Sequence, residues 1–144
     1  MDPVQSNLIS PLVWKRIAYY RRTTRLAEYL EQHPDETITL EEASTIACMQ
    51  KSSFSRFFSQ HIGMTFSDFL SAYRVELAMR AMLKSNLSIK EIAYAVGFNC
   101  IATFERHFKK ETGMRPSSYR TRQLANSDLL VTTSHHKVSS VSQS

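Results

Sequence analysis

Two cysteines, three glycines, four prolines and one tryptophan in 144 residues rule out several classes of protein at once. Cys48 and Cys100 lie far apart without CxxC spacing, which excludes a sequence-evident zinc site and argues against a disulfide framework. Both are read as small buried or half-buried side chains. The five histidines form no ligand spacing with cysteines or carboxylates, so no metal and no other cofactor is expected. No apolar run approaches the roughly 18 residues of a membrane span, and the N-terminus lacks the apolar core and small-residue cleavage site of a signal peptide. The expected compartment is the cytoplasm. Paired carboxylates, a nucleophile beside a base, and a glycine-rich phosphate loop are also missing at useful spacings, so the chain is not read as an enzyme.

What the chain has is a block written twice. Phe54, Arg56, Phe58, Gly63, Met64 and Ser67 return at an offset of 50 as Phe104, Arg106, Phe108, Gly113, Met114 and Ser117. Upstream, Thr39, Leu40 and Glu42 match Ser88, Ile89 and Glu91 at an offset of 49, so one copy carries a single extra residue between the matched blocks. A one-residue insertion belongs in a turn, and each copy therefore reads as helix, turn, helix. The three glycines punctuate this repeat. Gly63 and Gly113 each precede a methionine, the pattern of a left-handed helix C-cap. Gly97 falls in the turn of the second copy, where the first copy has Cys48, at a cost of about 1 kcal/mol if the two turns share one geometry.

Helix starts are marked by two capping boxes in register, Thr39 to Glu42 and Ser88 to Glu91. With apolar periodicity they predict seven helices: Arg16 to Gln32, Leu40 to Ala47, Lys51 to His61, Phe66 to Lys84, Ile89 to Val96, Ile101 to Thr112 and Pro116 to Gln123. The fold class is all-α, with no credible strand pattern. The helix between the copies carries one apolar stripe, from Phe66, Phe69, Leu70 and Tyr73 to Leu77, Ala78, Ala81 and Met82, with a side for each copy. At 1.5 Å per residue it spans about 28 Å, close to the roughly 34 Å turn of B-DNA. Residues 1–14 are expected to be poorly ordered, and residues 124–144 to form a disordered tail rich in Ser and Thr.

A net charge of +5 favours an anionic partner only weakly, since solubility needs a similar charge. Its placement says more. The repeats are net positive, and a basic stretch of Lys15, Arg16, Arg21, Arg22 and Arg25 runs through the first predicted helix, as a phosphate-touching arm or as that helix's solvated face. A duplicated helix-turn-helix in a basic chain points to double-stranded DNA. The second helix of such a unit enters the major groove with its first turns. That selects Lys51, Ser52, Ser55 and Arg56 in one copy, and Ile101, Ala102, Glu105 and Arg106 in the other, as the exposed positions. Phe54, Phe57, Phe58, Phe104 and Phe108 face inward.

Arg56 and Arg106 hold the same place in each copy and suit a bidentate contact with guanine, the alternative being a phosphate or a salt bridge. Glu105 suits cytosine N4 or a pairing with Arg106 or Lys109, and Ile101 and Ala102 suit thymine methyls or the core. Arg22, Arg25, Lys109, Lys110 and Arg115 are the candidate phosphate contacts. Competing readings are a helical protein-interaction module and a non-specific, nucleoid-type DNA binder.

Together these motifs resemble the DNA-binding region of the AraC/XylS family of bacterial transcription regulators. The resemblance rests on "GMTFSDFLSAYR", "GMRPSSYR", "LSIKEIAYAVGF" and "FERHFKKETGM", in that order, and runs from about Leu26 through Arg120. It implies a homeodomain-like unit of seven helices over 15–123, with helix-turn-helix subdomains at about 40–61 and 89–112 joined by a linker helix at about 66–84. It further implies that one chain binds an asymmetric site as a monomer, with the base-reading positions at Ser52, Ser55 and Arg56 and at Ile101, Ala102, Glu105 and Arg106. The implied role is a nucleoid-associated transcription regulator, read as an activator contacting RNA polymerase. Fewer than thirty residues precede the first matched helix, which leaves a stand-alone member of MarA/SoxS-like size or a fragment. The second reading surface is apolar and acidic where small polar residues are common in the family.

Overall fold

A computed structural model describes residues 8–126. Among them are eight helices and no strand: α1 (Pro11–Tyr19), α2 (Arg21–Gln32), α3 (Leu40–Ile46), α4 (Lys51–Ile62), α5 (Phe66–Lys84), α6 (Ile89–Ala95), α7 (Ile101–Thr112) and α8 over residues 116–126. The all-α arrangement of two helix-turn-helix units about a long helix is present as expected. None of these helices is long and apolar enough to cross a membrane.

The helix expected at Arg16 to Gln32 is instead two helices, broken at Tyr20, whose extended backbone (φ −81°, ψ 135°) ends α1 and starts α2. Two threonines hold the break. Thr23 and Thr24 donate their hydroxyls to the carbonyls of Ile17 and Ala18, each at 2.6 Å, satisfying acceptors that a continuous helix would have paired with backbone N–H groups. The helical chain also begins earlier than Arg16. The Ser10 hydroxyl accepts from Val13 N at 3.3 Å, and Pro11, whose missing N–H is harmless in a first turn, opens α1. Residues 11–14 are therefore helical rather than poorly ordered, and Ile9 before them is buried. At the other end α8 runs to residue 126, past the expected start of the tail at 124. Residues 1–7 and 127–144, where the remaining disorder was expected, lie outside the described residues.

Both capping boxes form. Thr39 and Glu42 exchange bonds of 3.1 and 2.9 Å, and Ser88 and Glu91 of 3.1 and 2.8 Å. The two bonds from Ser88 hold the Glu91 carboxyl below the usual carboxylate range. Each unit has its own aromatic core. Phe54 and Phe58 of α4 meet Phe66 at 5.1 and 5.2 Å between centroids, while Phe104 of α7 meets Phe98 at 5.3 Å and Phe108 meets Tyr119 at 5.4 Å. Removing one such fully buried ring costs about 3 to 5 kcal/mol.

The linker helix α5 exceeds its expected stripe. Ala72, Val75 and Met79 are buried as well as Phe66, Phe69, Tyr73, Leu77, Ala78 and Met82, because α5 packs on α4 and also on α6 and α7. A helix covered from two directions has no single apolar face.

Candidate nucleic-acid interface

The two turns are built alike, bond for bond. In the first, Cys48 N donates to Thr45 O at 3.0 Å and Met49 N to Ser44 O at 2.9 Å; in the second, Gly97 N donates to Tyr94 O at 3.1 Å and Phe98 N to Ala93 O at 3.0 Å. This is the Schellman pattern, which needs a left-handed residue after the C-cap. Gly97 takes φ 107° there and Cys48 takes φ 58°, the one positive φ outside glycine among the described residues. The expectation that Cys48 and Cys100 are buried or half-buried is overturned: both are exposed, Cys48 at the outer corner of its turn and Cys100 as the N-cap of α7. Cys100 Sγ lies 3.2 Å from Thr103 Oγ1, and that side-chain bond, followed by backbone bonds and the charge of Arg106, pulls its thiol below the ordinary value.

These turns place α4 and α7 as second helices with their first turns outward. Lys51, Ser52 and Arg56 are exposed and Ser55 is half-buried; Ala102, Glu105 and Arg106 are exposed and Ile101 is half-buried. The inward set is met by Phe54, Phe58, Phe104 and Phe108, all fully buried. Phe57 departs from it: half-buried, it lies 4.4 Å from the tilted ring of His61 and meets Tyr20 edge to face at 5.6 Å, and carries the Arg22 guanidinium 5.6 Å above its ring. Glu105 forms no ion pair with Arg106 or Lys109 among the described residues.

The basic stretch ahead of the first copy divides by position. Arg16 turns to the scaffold, where its Nη1 donates to Ile62 O at 3.3 Å across the C-cap glycine Gly63. Arg22 and Arg25 converge on the helix-turn-helix. Arg25 Nη1 reaches Cys48 Sγ at 3.8 Å, and a cleft of about 400 Å³ is lined by Arg21, Arg22, Arg25, Ala47 and Cys48. Arg22 also lines a second cleft, of about 460 Å³, with Arg56, Phe57 and His61. Around α4, then, α2 adds cations to Lys51 and Arg56.

The second copy is charged differently. At the offset of 49, Arg21, Arg22 and Arg25 correspond to Leu70, Ser71 and Arg74, and Arg74 is turned inward. Its Nε donates to Thr37 Oγ1 at 3.2 Å and its Nη2 to Ile38 O at 3.2 Å. Burial lowers its pKa, and a Cβ on Gly97 would lie 2.8 Å from that Nε. The cations of the second copy sit farther along: Lys109 and Lys110 are exposed in the last turn of α7, and Arg115 is exposed just before α8. His107 is held below its ordinary pKa, first by burial and then by Arg106 and Lys110.

Two anchoring residues were missed in the sequence reading. Arg74 of α5 grips the strap before α3, and Arg120 of α8 does the same for the strap before α6, donating to Leu87 O and, at 2.8 Å, to Ser85 O. Their signal was present as the repeated Tyr-Arg pair, Tyr73-Arg74 and Tyr119-Arg120. It is spaced by 46 rather than 50, one helical turn short of the register used to match the copies.

A helix-turn-helix domain family matches residues 43–122. The chain is 33% identical over 117 residues to a helix-turn-helix-type transcriptional regulator of Haemophilus influenzae, covering 81% of this chain and 39% of that one. A similar regulator of Staphylococcus aureus is 31% identical over 99 residues, 69% of this chain and 13% of its own length. The chain thus spans well under half the length of these relatives. Among solved structures it is similar to the DNA-binding domain of AdpA, a global transcriptional factor in complex with a target DNA (TM-score 0.60, 26% identity, 72% of this chain and 93% of that one). It is also similar to the C-terminal domain of AraT, a response regulator from Geobacillus stearothermophilus (TM-score 0.55, 30% identity, 81% of this chain and 88% of that one). Matched over more than half its length, and with the duplicated turn, the paired capping boxes and the linker helix in place, the chain belongs to the AraC-type family of DNA-binding helix-turn-helix transcriptional regulators.

Proposed function

We propose that this chain binds an asymmetric promoter site as a monomer, with α4 and α7 entering successive major grooves on one face of double-stranded DNA. The observation that carries the reading is the pair of like frames with unlike outer surfaces. Arg56 and Arg106 are exposed at equivalent positions, yet Ser52 and Ser55 stand in one copy where Ala102 and Glu105 stand in the other. Arg56 and Arg106 read guanine, Ser52 and Ser55 make adaptable polar contacts, Ile101 and Ala102 pack on thymine methyls, and Glu105 accepts from cytosine. Lys51, at the start of α4, strengthens binding near the first bases. Arg22 and Arg25 clamp phosphates beside the first reader, and Lys109, Lys110 and Arg115 do so beyond the second. The similar AdpA domain is solved in complex with a target DNA, which supports DNA as the partner. The regulatory outcome is activation through contact with RNA polymerase.

Selection from random duplexes, followed by footprinting and a salt series, tests this. A motif bound at least about 10³-fold above random DNA, with a steep salt dependence, is the expected result. Salt-sensitive binding without a motif would establish a nucleoid-type binder, and no DNA binding an interaction module. In vitro transcription from a selected site then distinguishes activation, where the chain raises output, from repression.

A further inference from the structure

A cleft outside the DNA-facing set opens between α1, α2 and α5. Its volume is about 370 Å³, within the range of roughly 300 to 1,000 Å³ typical of small-molecule sites. Trp14, Ala27, Leu30 and Pro34 give it an apolar body, and Tyr73, Glu76 and Arg80 of the linker helix give it a polar end. Trp14 and Tyr73 stand edge to face, 6.0 Å between ring centroids.

Tyr73 is 3% exposed, and its Oη is buried with no hydrogen-bond partner among the described residues. A buried hydroxyl without a partner costs about 1 to 3 kcal/mol, and such groups in a folded protein call for an explanation. The charges beside it are unbalanced. Arg80 is already engaged, by Asp35 Oδ1 at 3.5 Å and by Pro34 O at 2.7 Å. Glu76 accepts from Ile9 N at 3.0 Å but forms no ion pair with a described residue, and neither does Glu31 at the rim. The cleft is thus lined by two carboxylates, Glu31 and Glu76, against the one guanidinium of Arg80, beside aromatic faces. That combination recognises an organic cation: the rings attract positive charge, the carboxylate pairs with it, and the apolar wall takes a hydrocarbon body. Burial raises the Glu76 pKa, outweighing the lowering by the Ile9 backbone bond and the Arg80 charge.

We propose that the cleft between α1, α2 and α5 is a binding site for a small amphipathic amine, whose ammonium N–H groups reach Tyr73 Oη and Glu76 and whose apolar body lies along Trp14 and Leu30. The site is independent of the DNA-binding reading.

Trp14 is the sole tryptophan, so its emission reports the cleft directly. The full chain is titrated at neutral pH with 4-phenylbutylamine and, separately, with the uncharged 4-phenylbutan-1-ol. A saturable change in Trp14 emission is expected, with the amine bound about tenfold more tightly than the alcohol, the loss expected for one charge-assisted contact. Glu76→Gln keeps the shape and an acceptor for Ile9 N, and weakens the amine about tenfold while leaving the alcohol unchanged. Tyr73→Phe weakens the amine about fivefold, yet melts at the same temperature as the parent or higher, because the hydroxyl it removes is unpaired. Ala18→Leu, at the exposed rim, blocks the cleft without touching the core. No saturable change, equal binding of amine and alcohol, full amine affinity in Glu76→Gln, or binding that survives Ala18→Leu would each overturn the proposal.

Discussion

Arg22 and Arg25 show how position, rather than charge count, assigns a cation its work. Both lie within a basic run that, as a string, fits a solvated helix face equally well. The break at Tyr20 rotates α2 relative to α1, so that Arg16 caps α4 while Arg25 reaches the turn at Cys48. That break was illegible, because it depends on Thr23 and Thr24 bonding back across the junction rather than on proline or glycine. If Arg25 is a phosphate contact, Arg25→Ala lowers affinity evenly across DNA sequences and reduces the magnitude of the log-log salt slope by about 0.9. Arg22→Ala does the same, and also frees Phe57, whose ring it covers. Binding isotherms at four or more salt concentrations check both; a loss confined to selected sites would mean base contact instead.

At the scale of the element, the Schellman turns explain which parts of the repeat were legible. The matching of Cys48 to Gly97 was readable from the offset, and the structure confirms the shared left-handed geometry. The exposure of Cys48 was not, since the residue after a C-cap points outward whatever its chemistry. Cys48→Gly is expected to raise stability by about 0.5 to 1 kcal/mol, relief of left-handed strain being partly offset by glycine's entropy. Gly97→Ala is expected to lower it by about 2 kcal/mol or more, because the strained φ is joined by a contact of 2.8 Å with Arg74. Urea titration of both variants decides the signs. The straps before α3 and α6 add a related expectation. Arg74→Ala and Arg120→Ala each strip hydrogen bonds from a strap and should cost about 1 to 3 kcal/mol. Arg74→Lys should recover only part of that, since one ammonium does not reproduce the guanidinium fork. Full recovery in the same titration would show that charge alone suffices.

Over the whole molecule, the duplication specifies a scaffold and leaves the outer surface free to differ. The seven anticipated helices overlap all eight of those observed, because capping boxes and phenylalanine spacing are local signals. The burial of Ala72, Val75 and Met79 beyond the expected stripe of α5 was missed because it depends on neighbours distant in sequence. Charge is likewise split, with α2 supplying cations beside α4 and Lys109, Lys110 and Arg115 lying at the far end of the second copy. Two like frames with unlike surfaces should read unlike half-sites about ten base pairs apart. The most direct test repeats the selection from random duplexes with Arg56→Ala and Arg106→Ala beside the parent chain. The parent should return a non-palindromic site of two blocks. Each variant should lose about 1 to 3 kcal/mol and relax preference in one block only, a different block for each. A palindromic site, or relaxation of the same positions by both variants, would contradict the account.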